Sequence, residues 1–81
     1  MSKTKYIKTE SNQIIVFSEH IQHSRFKFMN PVSAGFIFFN NDSDGLPDCH
    51  CYGESVSLEL KSDEKVDSAL ARIQILGCDW F

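Results

Sequence analysis

Long apolar runs are missing from this chain. The longest are 14–17 (Ile-Ile-Val-Phe) and 35–39 (Gly-Phe-Ile-Phe-Phe), far short of the roughly 20 residues a membrane-spanning helix needs. The start, Met1-Ser2-Lys3-Thr4-Lys5, leads into mixed polar residues rather than the apolar core of a secretory signal. Glycine is scarce and scattered: Gly35, Gly45, Gly53 and Gly77 stand alone, so no glycine-rich loop is available to cradle a phosphate. Cysteine is limited to Cys49, Cys51 and Cys78, an odd number that does not suit a disulfide framework and points to a reducing, cytoplasmic setting. Basic side chains are also few, 8 against 11 acidic ones. Residues 1–30 carry five basic and two acidic side chains, and residues 31–81 carry three and nine. Nucleic-acid binding, which rests on a concentrated basic face, is not expected.

What is present is an ordinary globular composition, with 42% hydrophobic and 23% charged residues in 81. A chain this short forms one domain, residues 1–81. Lys5–Thr9 and 13–18 read as two strands joined by the turn formers Glu10-Ser11-Asn12. Ser18, followed by Glu19, reads as the cap of a short helix over 18–24. Arg25-Phe26-Lys27-Phe28 alternates like a strand and stops at Asn30-Pro31. Residues 33–39 form the plainest strand, with Ala34, Phe36 and Phe38 on one face and Gly35, Ile37 and Phe39 on the other. The acidic stretch 40–47 predicts a hairpin, and a returning strand runs from about Cys49 to Leu60. A bulge at Gly53 would turn both cysteines inward with Val56, Leu58 and Leu60. Ser62 caps a C-terminal helix over 62–76 whose apolar stripe is Val66, Ala69, Leu70, Ile73 and Leu76. Gly77 ends it, and Trp80 or Phe81 folds back on its end. The fold class is therefore α+β: a small antiparallel sheet of three to four strands against one C-terminal helix.

Three polar constellations could carry chemistry. His20 and His23 with Cys49 and Cys51 offer two nitrogens and two thiolates, a set that suits tetrahedral zinc, but Cys-x-Cys is too tight for the usual structural spacing. No bound metal and no cofactor are expected. Asn40, Asp42, Asp44, Gly45 and Asp48 imitate a calcium loop, yet the closing bidentate glutamate is replaced by Cys51. His20, His23, Cys51, Tyr52, Glu54 and Ser55 could together form a small-molecule or metal-binding site, even a hydrolytic one. The surroundings of Ser55, Gly-Glu-Ser-Val-Ser, are not those of a nucleophile elbow, and no catalytic residue is assigned.

The phenylalanines are the most distinctive feature. One helix covers one face of a small sheet, whereas every residue from Ala34 to Phe39 is apolar or glycine. A surplus apolar face carrying Phe36, Ile37, Phe38 and Phe39 predicts an interface, either a homodimer or a docking surface for another protein. The leading functional expectation is a non-enzymatic interaction or regulatory protein that binds another macromolecule, and the alternative is the ligand site around His20, His23, Cys51, Tyr52, Glu54 and Ser55.

Overall fold

A computed structural model describes residues 3–77. Expectations for Cys78, Trp80 and Phe81 fall outside that range. Strands β1 (Thr4–Thr9) and β2 (Ile14–Ser18) form the expected hairpin. A 3-10 helix over His23–Met29 follows, and Asn30 ends it in the left-handed region, just before Pro31. Then come β3 (Pro31–Asn41), β4 (Pro47–Tyr52), β5 (Glu54–Ser55), β6 (Leu60–Lys61) and helix α1 (Glu64–Gln74). Four strands make an antiparallel sheet in the order β2-β1-β3-β4, and β5 and β6 form a separate two-stranded ribbon. The protein is a small α+β domain with its helix at the C-terminal end, as the pattern predicts.

Three local readings are corrected. The helical segment lies at 23–29 rather than 18–24, and takes in the Arg25–Phe28 stretch that alternates like a strand. Its reason is packing: the turn lays Phe26 against Phe17, ring centroids 4.3 Å apart. The long strand from Cys49 to Leu60 is broken at Gly53, whose positive φ of 77° turns the chain into the β5–β6 ribbon. Ser62 does not cap α1; its hydroxyl donates to the Gly53 carbonyl at 2.8 Å and closes the ribbon.

Both faces of the sheet are covered. Beneath α1 lie Tyr6, Ile14, Ile37, Cys49, Cys51 and Ala71, with Leu70 and Leu76 packed against them. On the opposite face Ile7, Phe17 and Ala34 are covered by Phe26 and Met29 of the 3-10 helix and by Leu58 and Leu60 of the ribbon. The uncovered face expected from the 34–39 pattern is thus closed by the 3-10 helix and ribbon. Phe36 is half-buried and Ile37 lies under α1, while Phe38 and Phe39 remain exposed at the end of β3.

The helix is rotated from its apolar stripe. Asp67, Ser68 and Ala71 are its buried residues, whereas Val66 and Ile73 are exposed. The cause is a buried polar cluster. Asp67 Oδ2 accepts hydrogen bonds from the Tyr6 hydroxyl at 2.5 Å and the Ser33 hydroxyl at 2.7 Å. It also accepts the backbone N–H of Asp63, at 3.1 Å, which ties down the first turn of the helix. The Lys8 ammonium stands 3.0 Å from Oδ1, an ion pair on an oxygen that has no hydrogen bond among the described residues. Farther along α1, Arg72 donates to Asp48 at 2.6 Å, and this bond holds the Asp48 carboxyl below its ordinary range.

Gly35 is fixed by a close approach. A Cβ there would fall on the Tyr52 carbonyl oxygen and 3.2 Å from the Gly53 carbonyl carbon, because the chain leaving β4 crosses over β3 at this point. Gly35→Ala is expected to lower stability by about 1–3 kcal/mol, the usual cost of overpacking against a backbone that cannot retreat. Urea denaturation checks it, and a variant as stable as the parent would show that the crossing yields.

Candidate functional site

The 3-10 helix carries His23 to the edge of an open cleft of about 400 Å³ whose other walls include Lys5, Gln22, Phe36, Glu54 and Ser55. Lys5 comes from β1, Phe36 from β3, and Glu54 and Ser55 from β5. Three of the residues singled out from sequence therefore meet. Tyr52 lies beside them, its ring 5.7 Å from that of Phe36. His20 does not join the group: it is exposed on the turn after β2, 3.9 Å from Glu19, and lines a neighbouring cleft with Ile21, Gln22 and Arg25.

His23 is buried between two rings, edge-on to Phe17 at 5.4 Å and to Phe36 at 5.9 Å. Its Nε2–H donates to the Gly35 carbonyl at 2.8 Å, a bond that assigns the proton of the neutral ring to Nε2. Burial lowers the pKa of this histidine from the ordinary 6.5; the carbonyl bond opposes the shift and the Lys5 charge adds to it. Ser55 is buried too, and its hydroxyl accepts the Leu58 N–H at 3.3 Å within the β5–β6 turn. Both side chains thus have bonds within the fold, and neither is bonded to the other. Glu54 is exposed at the rim. The cleft supplies an aromatic wall, one ammonium and one carboxylate, a set suited to holding a ligand.

Cys49 and Cys51 point to the opposite side of the sheet, under α1, and are not bonded to each other. The sheet stands between them and His23, so the four residues of the zinc set do not converge. Among the described residues no group of three or more His, Cys, Asp or Glu side chains is placed to hold a metal ion. Burial, together with the negative charge of Asp67, pushes the Cys51 thiol up to about 12, far from the thiolate that binds metals or attacks electrophiles. In the calcium-like loop, Asp42 Oδ1 accepts the N–H groups of Asp44 and Leu46, each at 2.9 Å, and serves the turn.

The Tyr6–Lys8–Ser33–Asp67 cluster was not visible from sequence spacing, since it joins residues 61 apart. The sole local clue is an aspartate one position away from the apolar stripe of α1. All four side chains are buried, which gives the cluster an architectural role. Compared with known proteins, the chain matches no family model, no curated protein and no solved structure.

His23 ties stability to pH. The unfolded histidine takes up a proton near pH 6.5, while the folded one resists it, so the unfolded state binds more protons as the medium turns acid. The stabilisation is complete above about pH 6.5 and drains away as pH falls below that value. His23→Gln, which keeps a donor for Gly35, is expected to flatten this loss between pH 7 and pH 5 relative to the parent. Parallel urea titrations at the two pH values check it; equal losses in both proteins would contradict it.

Proposed function

We propose that this protein acts without catalysis, by binding another macromolecule through an aromatic row at the end of its sheet. The observation that carries this reading is Phe38. It is 53% exposed on β3, on the same face as half-buried Phe36 and Tyr52. The Lys3 ammonium lies 5.3 Å from the centre of the Phe36 ring, and Val56, on the β5–β6 turn, is 82% exposed at the cleft. Aromatic side chains framed by polar groups are the usual anchors of protein interfaces. The bonds already made by His23 and Ser55 fit binding better than a nucleophile and its base. Cys49 and Cys51, buried and not bonded to each other, accord with a cytoplasmic regulator, and no helix among the described residues is long and apolar enough to cross a membrane.

A second reading, a small-ligand site, rests on the cleft that unites His23, Glu54 and Ser55 with Lys5. The two are separated by Phe38→Ser, a change at an exposed side chain that leaves the cleft walls in place. Cross-linking in a lysate of the source cell is expected to capture a macromolecular partner with the parent and to lose it with Phe38→Ser, at unchanged thermal stability. Equal capture by both proteins, or none by either, would count against the row as the docking surface.

A further inference from the structure

We propose that a second copy of this chain pairs edge to edge with β2, antiparallel, about a two-fold axis at Val16. The two outer edges of the main sheet are treated differently. On β4 the outward N–H groups are taken: Cys51 donates to the Ser68 hydroxyl at 2.8 Å, Cys49 donates to Asp48 Oδ1 at 2.8 Å, and Pro47 has none to offer. That edge is closed by the helix, by a neighbouring side chain and by proline.

On β2 the closure is partial. The Ile14 N–H leaves the sheet to meet Gln74 Oε1 at 2.7 Å, while Gln74 Nε2 donates to the Asn12 carbonyl at 2.6 Å. Alternation along an antiparallel strand then turns Ile14, Val16 and Ser18 outward and Ile15 and Phe17 toward β1. The Ser18 carbonyl accepts the Ile21 N–H at 3.0 Å. Among the described residues this leaves four outward groups without a bond: the Ile14 carbonyl, the N–H and carbonyl of Val16, and the Ser18 N–H.

Those four groups are self-complementary. With Val16 facing Val16 of the second copy, Ile14 faces Ser18. Each Val16 N–H then donates to the other Val16 carbonyl, and each Ser18 N–H donates to the opposite Ile14 carbonyl, making four hydrogen bonds. The groups already occupied, the Ile14 N–H and the Ser18 carbonyl, would face one another. The Gln74 amide on Ile14 and the Ile21 N–H on Ser18 stand in this gap and have to swing aside for the two end bonds to form, while the Val16 pair at the axis meets open groups on both sides. An unrelated peptide has no reason to match this vacancy pattern, whereas an inverted copy of the same strand matches it by symmetry. Residues 11–18 carry no charge, proline or glycine, the usual guards of an exposed edge. Val16, 39% exposed, would meet its own copy at the axis as a β-branched cross-strand pair. This pairing is independent of the aromatic row.

A contact of five residues per strand falls below the roughly 1,000 Å² of a tight complex, so the dimer is expected to grow with concentration from ~10 µM to ~1 mM. Light scattering across that range, with amide exchange read residue by residue, tests it. The parent is expected to approach twice its 9.3 kDa mass while the Val16 and Ser18 amides gain protection as concentration rises. Val16→Lys sets two ammonium groups against each other at the axis and is expected to weaken association by tenfold or more, whereas Phe38→Ser leaves it unchanged. A parent that stays monomeric at ~1 mM, Val16 and Ser18 amides whose exchange ignores concentration, association undiminished by Val16→Lys, or association lost with Phe38→Ser would each overturn the pairing.

Discussion

The carboxylate of Asp67 sets the position of everything packed on one side of the sheet. It is fully buried and receives three hydrogen bonds on one oxygen and an ammonium beside the other. Removing a charge from water is costly, and only good geometry and an opposite charge offset the cost. Here the partners come from β1, β3 and the first turn of α1 itself, so the helix has one rotation that satisfies them all. That rotation overrides the apolar stripe: Ile73 is turned outward and Ser68 and Ala71 inward. Specificity is bought at the expense of buried hydrocarbon.

The same rotation places the helix's polar side chains over the sheet edges. Ser68 reaches the Cys51 N–H on β4, and Gln74 reaches Ile14 and Asn12 beside β2. Two residues on one helix thus limit strand addition at opposite edges, and what Gln74 leaves open is a short stretch around Val16. The opposite face follows another logic. The 3-10 helix and the β5–β6 ribbon cover Ile7, Phe17 and Ala34, but they are too small to cover the far end of β3. Phe38 is left to solvent there, and the cleft around His23 opens between the two covering pieces.

Much of this was legible from residue order. The short apolar, aromatic-rich run of residues 33–39 and the turn formers at 10–12 and 40–47 are local signals, and the structure has strands and turns where they stand. The terminal helix follows from its acidic first turn and spacing. What escaped is non-local. Arg25–Phe28 alternates in sequence, yet Phe26 finds Phe17 across the fold and the segment coils to reach it. Gly53 read as a bulge acts as a break, because the chain must cross over Gly35. In the candidate site, His23 meets Glu54 and Ser55 as sequence suggested, but His20 does not, since the helix that would align them begins only at His23. The Asp67 cluster joins three separate elements, and nothing in the spacing of Tyr6, Lys8, Ser33 and Asp67 announces it.

A double-mutant cycle on Lys8 and Asp67, read by urea denaturation at neutral pH, tests the dependence on this buried pair most directly. Lys8→Met and Asp67→Asn each leave a buried group without its counterpart, and each is expected to cost about 3–5 kcal/mol. The double variant removes both charges together and is expected to cost at least ~1 kcal/mol less than the two single losses combined, the mark of residues that act as one unit. Single losses that add without coupling, or that each fall under ~1 kcal/mol, would contradict the account and leave α1 held by its apolar contacts alone.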